Sequence, residues 1–312
     1  MPTPFPNADT FVWKDKFIDR YSKLTDFEEY KKYSLCFPRK SIRVNTLKIS
    51  VEELKERMSK NWKLEQVPWC KEGFWISGER RDIGNTVEHV LGYIYVQDAA
   101  SMIPPLALDP QPGEVVLDIC AAPGSKTTQI AQYMENKGII VANDLTPIRL
   151  KALGVNVQRL GISNTIITLM PGYRFKDMLF DKILVDAPCS ATGTIRKSPK
   201  TINMWNPDAV RKLAGEQKQL ARTAFGMLKP GGTMVYSTCT LEPEEDEGIV
   251  DFILNEFPNA KVEKFDLDIK RSECVTEFEG KKYSDEVKKC LRIWPQDNDT
   301  EGFFVAKIRK TE

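Results

Sequence analysis

The sequence predicts an α/β protein in which a parallel sheet is covered by helices on both faces and a smaller α/β unit precedes it. Three observations carry that prediction. From about residue 114 onward, short apolar runs alternate with amphipathic stretches of helical period. That is the rhythm of strands buried on both sides and linked by crossover helices. The distinctive small, polar and thiol residues cluster where those runs end, at 120–126, 143–144, 186–190 and 237–240, and ligands of such sheets sit at the carboxyl ends of the strands. Residues 1–90 lack this rhythm and hold short strand-like runs around one helix signal.

In that first part, Ser50 and Glu53 form a capping box, each able to satisfy an orphan amide of a first helical turn. They predict a helix over about 51–60. Strand-like runs flank it at 41–47, 62–67 and 74–76. A unit this small buries little surface and is expected to lean on its larger neighbour. The expected division is 1–92 and 93–312.

In the larger part, the runs at 114–120, 138–144, 165–169, 181–188 and 233–239 read as strands, and 302–308 as a final one. Helices are predicted over 125–134 and 147–160. A third opens at Asn206 as cap with Pro207 at its first position. It carries Val210, Leu213, Leu220, Ala224, Phe225 and Leu228 on one face and stops at Lys229-Pro-Gly-Gly232. A last helix is expected with Glu244, Glu245, Asp246 and Glu247 in its first turn, favourable against the helix dipole.

Composition narrows the chemistry. With 41% hydrophobic and 29% charged residues the chain is of globular type, which excludes wholesale disorder. It has no apolar run of about 18 residues, and its start lacks a basic segment with an apolar core. No membrane span and a reducing, cytoplasmic location are therefore expected. Seven cysteines, with no CxxC pair, exclude a disulfide framework and a zinc site. The single histidine, His89, leaves no metal site and no serine triad except one built on it. Carboxylates, lysines and thiols remain as reactive groups. Net charge is +1, but residues 31–48 hold Lys31, Lys32, Arg39, Lys40, Arg43 and Lys48 without an acid, with Tyr33 and Phe37 among them. This suits phosphate contact and base stacking, or a plain solvated face.

The first strand–turn–helix of the larger part reads Asp118-Ile-Cys-Ala-Ala-Pro-Gly-Ser-Lys-Thr-Thr128. It is neither GxGxxG nor a P-loop. Its small residues let backbone approach a ligand, and the free amides opening the next helix can hold a carboxylate. Asp144 ends the second strand about 20 residues on, placed to accept from a ribose diol. A carboxylate at one end and a ribose at the other favour S-adenosyl-L-methionine over NAD. Two cysteines then end sheet strands: Cys189 in Asp-Ala-Pro-Cys-Ser and Cys239 in Ser-Thr-Cys-Thr. Adjacent strands lie about 5 Å apart, so neighbouring strands would bring both thiols and Asp186 into one crevice; core filling is the alternative. A thiol suits methyl transfer to carbon 5 of cytosine, because its addition to carbon 6 makes carbon 5 nucleophilic. Asp186 can hydrogen-bond the ring, and Lys126 is a cation able to favour a thiolate.

These motifs, DICAAPGSKT, DAPCSATGT and STCTLEPEEDE, together with RVNTLK, VQDAAS and DTEGFFVAKI, resemble the Fmu/Sun family of RNA cytosine-5 methyltransferases over most of the chain. The resemblance implies a Rossmann-like, seven-stranded methyltransferase sheet with its last strand antiparallel, behind a small α/β N-terminal RNA-binding region. It implies a donor loop at Cys120, Ala121, Ala122, Pro123, Gly124, Ser125 and Lys126, with Asp144, Arg149 and Asp186 also at the donor site. It further implies Cys239 as nucleophile, Cys189 in product release and Asp186 beside the target base. Pro171 stands where the family has an adenine-binding acid, which turns that contact toward backbone carbonyls or Asp177. RNA contacts are expected at Arg39, Lys40, Arg43, Arg196, Lys197 and Lys200, with Asn45 structural and His89 ordinary. The expected partner is RNA, tRNA ahead of rRNA, and the expected state a monomer without metal. A DNA methyltransferase and a non-catalytic assembly factor are the competing readings.

Overall fold

The computed structural model of the chain describes residues 2–79 and 82–312. Helices α1 (Asp15–Tyr21) and α2 (Phe27–Ser34) come first. Seven and eight residues are too few to display a helical period, and the one local sign is Asp26, whose side chain caps α2 through the Glu28 and Glu29 amides. They do not join the small sheet that follows. Phe17, Tyr21, Phe27 and Tyr30 pack instead with Trp205, Val210, Leu241 and Trp294 of the larger unit.

Strands β1 (Ser41–Val44), β2 (Lys63–Gln66), β3 (Gly73–Ser77) and β4 (Ile94–Val96) form an antiparallel sheet in the order β2-β3-β1-β4. Helix α3 (Val51–Met58) carries the expected capping box and buries Leu54 and Met58 against this sheet. The 92/93 division falls ahead of β4, whose pairing with β1 carries the small sheet through Val96. Short helices α4 (Val87–Val90) and α5 (Ile103–Leu108) flank β4.

The large sheet begins with β5 (Val115–Asp118), β6 (Ile139–Asp144), β7 (Thr165–Leu169), β8 (Phe180–Asp186) and β9 (Leu228–Thr238), mutually parallel. It is completed by β10 (Ala260–Glu263); the hairpin β11 (Glu277–Phe278) and β12 (Lys281–Lys282) stands apart; β13 (Leu291–Ile293) and β14 (Phe303–Lys310) follow. Seven strands run β10-β14-β9-β8-β5-β6-β7, with β14 antiparallel to both neighbours and β13 added beside it. This is the expected Rossmann-like sheet with its antiparallel last strand. The order reverses at β5, which has β6 on one side and β8 on the other.

Helices α6 (Ser125–Tyr133), α7 (Pro147–Leu160), α8 (Lys200–Met204), α9 (Pro207–Gly226), α10 (Glu247–Glu256) and α11 (Pro295–Asn298) complete the chain. Asn206 caps α9 through the Asp208 amide, with Pro207 at the first position, as the sequence predicts. The expected acidic first turn is corrected: α10 starts only at Glu247, and Glu242, Glu245 and Asp246 lie in the turn before it. All four of these acids are fully buried. The sequence sets this run of charge against a helix dipole; in the fold, long-range partners hold it inside.

Candidate active site

The reversal at β5 opens a crevice at the carboxyl ends of the strands. Gly124, at φ 103°, turns the chain from β5 into α6, and a side chain there would meet Leu153 at 2.8 Å. Two cavities meet at Cys120. One, about 340 Å³, is lined by Cys120–Pro123, Ser125, Lys126, Asp186, Lys197 and Cys239, among others. The other, about 480 Å³, is lined by Asp144, Arg149, Pro171–Tyr173 and the α9 residues Glu216 and Gln219.

Asp144 is buried at the end of β6. Its carboxylate accepts from the Ala122 amide (3.1 Å) and the Leu145 amide (2.8 Å). Arg149 lies 3.3 Å from it and donates to the Ala122 carbonyl at 2.8 Å. The acid and the arginine thus hold the loop at 120–126 from outside. Pro171 does line the second cavity, but Asp177 does not. Glu216 and Gln219 are the polar side chains that α9 adds to this cavity. No sequence signal marks them, because α9 reads as an ordinary covering helix.

The register pairs Asp186 of β8 with Ser237 of β9. The turns that follow bring Cys189 and Cys239 to 3.4 Å between sulfurs. Asp186 accepts from Lys126 Nζ at 2.7 Å and from Ser237 Oγ at 2.8 Å. Burial alone would lower the Lys126 pKa, but the Asp186 charge outweighs it and raises it, so the ammonium persists in the crevice. The contact with Cys239 raises the Cys189 pKa well above its ordinary value, and burial adds to this, so Cys189 keeps its proton as an S–H donor.

The two thiol turns are stitched together by Thr240, whose hydroxyl meets Ser190 Oγ at 2.7 Å and Thr192 Oγ1 at 2.9 Å. Glu245 clamps the Cys189 turn, accepting from the Ser190 amide at 3.0 Å and from Gln217 at 2.8 Å. Gly193 admits no side chain, since a Cβ would collide with the Gly302 carbonyl. Beneath this lie two buried arginines. Arg292 donates to Glu247 (2.6 and 2.9 Å) and Asp246 (3.0 Å), and Arg20 of α1 donates to Glu242 at 2.8 Å.

Three acids at the first cavity escape sequence reading as site residues. Asp118 is buried, accepts from Thr127 Oγ1 at 2.7 Å and leaves Oδ1 without a partner. Burial pushes its carboxyl up to about 7. Asp98 and Glu301 line the same cavity, with Lys197 3.6 Å from Glu301. An acid ending an apolar strand is the available signal for Asp118; the other two sit in VQDAAS and DTEGFFVAKI without a spacing that marks them.

Two of the expected RNA contacts are corrected. Arg43 is fully buried and donates to the Ser125 carbonyl (2.8 Å), Thr128 Oγ1 (2.9 Å) and Gln97, pinning β1 to the start of α6. Arg196 is buried and donates to the carbonyls of Thr300 and Phe37 and to Asp299. Guanidinium groups with several fixed acceptors make strong clamps, which is why the fold takes them in. Lys40, Lys197 and Lys200 are exposed and Arg39 half-buried. Asn45 is structural as expected, donating to the carbonyls of Gly92 and Leu160. His89 lies half-buried on α4, outside the crevice lining. Among the described residues, no helix is long and apolar enough to cross a membrane and no group of three metal-ligating side chains is present.

The sheet order, the loop after β5 and the acid ending β6 define a Rossmann-like methyltransferase. A family model described as 16S rRNA methyltransferase RsmB/F matches residues 105–309, and one for the N-terminal domain of 16S rRNA methyltransferase RsmF matches 14–99. The chain belongs to this RsmB/F family, the Fmu/Sun group of RNA cytosine-5 methyltransferases, as its motifs predict. It is 50% identical over 298 residues to the tRNA (cytosine(49)-C(5))-methyltransferase of Pyrococcus abyssi, covering 95% of this chain and 96% of that one. It is 47% identical to the ribosomal RNA small subunit methyltransferase F of Aliivibrio salmonicida over 281 residues, 87% of this chain but 58% of the relative. A solved methyltransferase homologue from Pyrococcus horikoshii superposes with a TM-score of 0.86 at 39% identity, covering 96% of this chain and 95% of that one.

Proposed function

We propose that the protein methylates carbon 5 of a cytosine in tRNA, using S-adenosyl-L-methionine, with Cys239 as nucleophile. The observation that carries this reading is the pair of sulfurs 3.4 Å apart beside the Lys126–Asp186 ion pair, at the mouth of the donor loop. The tRNA preference rests on the 50% identity to the archaeal tRNA enzyme across 95% of this chain.

The crevice fits the donor. Two cavities meeting at Cys120 suit a ligand with two polar ends, and the unpartnered Asp118 Oδ1 can accept from an amino group. Asp118, the donor loop, Asp144 and Arg149 would hold it. Bound there, S-adenosyl-L-methionine supplies an electrophilic methyl group.

Cys239 adds its sulfur to carbon 6 of cytosine, and the displaced electron pair makes carbon 5 nucleophilic. Asp186, held in place by Lys126 Nζ and Ser237 Oγ, accepts from the cytosine amino group or a protonated N3 as charge moves through the ring. After carbon 5 has been methylated, Cys189 passes its own proton to water, and the thiolate so formed takes the carbon 5 proton. The electrons of that C–H bond restore the 5,6 double bond and expel Cys239 as thiolate. All these groups come from one chain, which supports action as a monomer, and a tRNA substrate fits a cytoplasmic location. The test is to offer the protein unmodified tRNA and 16S rRNA transcripts with the donor and quantify 5-methylcytosine by mass spectrometry. Product on tRNA but not rRNA is expected; product on neither sinks the reading.

A further inference from the structure

A second cavity outside the crevice, about 640 Å³, opens between the end of α2 and the small sheet. Tyr33, Phe37 and Lys40 line one wall, and Lys63 and Trp75 the other. Arg39 lies between them, its guanidinium 3.8 Å above the Trp75 ring and 2.9 Å from Glu65. Phe37 is 52% exposed, the most exposed phenylalanine among the described residues, while its ring is held edge-on by Phe5 at 4.9 Å. The acids of the groove are already matched: Glu65 by Arg39, and Asp299 by Arg196 at 2.8 Å. Lys63 has no acidic partner among the described residues.

The groove adjoins the catalytic crevice through a thin wall. Arg196 holds the Phe37 carbonyl and Asp299 on the groove side, while the next residue, Lys197, meets Glu301 on the crevice side. Asp299 lines the groove and Glu301 the cavity that contains Cys239. Asp299 and Glu301 are two residues apart, so the chain separates the two sites by at most about 7 Å, roughly two stacked nucleotides at 3.4 Å each.

We propose that this groove is a stacking subsite for the unpaired nucleotides that adjoin the target cytosine, with a base on Phe37 and backbone phosphate on Lys63 and Arg39. This rests on the reading of the crevice as an RNA cytosine site. An aromatic face beside cations is the combination that binds single strands without reading their sequence. The target base must leave its stack to reach the thiols, and its neighbours then need new partners.

The test uses the full chain and a fluorescent nine-nucleotide single-stranded RNA with one central cytosine, read by anisotropy. Phe37→Ala is expected to weaken binding about tenfold, the scale of one base–aromatic stack, and Phe37→Trp to restore it. Lys63→Ala is expected to lower the salt slope of binding by about 0.7, one phosphate contact on a single strand. Both side chains are exposed, so loss of fold does not confound the result. Binding of Phe37→Ala within about twofold of the parent, or equal competition by polyglutamate, overturns the proposal. Because binding is read without catalysis, RNA held in the groove but never methylated would overturn the catalytic reading alone.

Discussion

The two halves of the crevice are built differently. The donor half is local: the bonds tying its loop run from Ala122 to Asp144 and Arg149, 22 and 27 residues away. The thiol half is assembled from afar. Its sulfurs are 50 residues apart in sequence, and the acids behind them are held by Arg292 and by Arg20, which bonds Glu242 across 222 residues. From afar the donor half is held by Arg43, which reaches Ser125 and Thr128, whereas the thiol half depends on several ion pairs buried in a different part of the chain.

The strongest way to separate the halves is Cys239→Ala, expected to abolish methylation while donor binding, measured by calorimetry, stays at the parent level. Loss of donor affinity in that variant would mean the halves are one site. Next in size is Arg292→Met. It strands Asp246 and Glu247 in the interior, and breaking a buried pair costs about 3–5 kcal/mol; urea unfolding should show that loss, where a surface pair would show almost none.

Glu245 sharpens the comparison by pH. Burial pushes its carboxyl up to about 7, against an ordinary value near 4.5. A raised acid pKa means that the folded state holds the proton that the unfolded state releases, so stability falls as pH rises from about 4.5 to 7. The shift corresponds to roughly 3 kcal/mol at most. Glu245→Gln keeps an acceptor for Ser190 and Gln217 and should flatten that fall, seen as a smaller difference in melting temperature between pH 5 and pH 8. Asp144→Ala acts on the other half alone: donor affinity is expected to drop about tenfold or more, the loss of a charge-assisted hydrogen bond, with unfolding stability less affected than in Arg292→Met. Smallest is Lys197→Ala, an exposed cation partly matched by Glu301, expected to weaken RNA binding by about 1 kcal/mol or less at moderate salt.

The same contrast explains what is legible in the sequence. Strands, crossover helices and the donor loop follow local rules, so the sheet, Asp144 and both thiol turns can be placed from residue pattern alone. The capping box at Ser50 and the Asn206 cap are local in the same sense. Arg43, Arg196 and the acids 242–247 defeat that reading because charge patterning says nothing about a partner far along the chain. Asp118, Asp98 and Glu301 escape it as site residues because only the fold brings them to one cavity.

The central claim is that Cys239 attacks and Cys189 releases. It is tested most directly by mixing the Cys189→Ala variant with tRNA and S-adenosyl-L-methionine and running a denaturing gel. The account predicts a slow-migrating RNA adduct that disappears when Cys239 is also replaced. No adduct, from a protein whose parent does methylate the RNA, would contradict it.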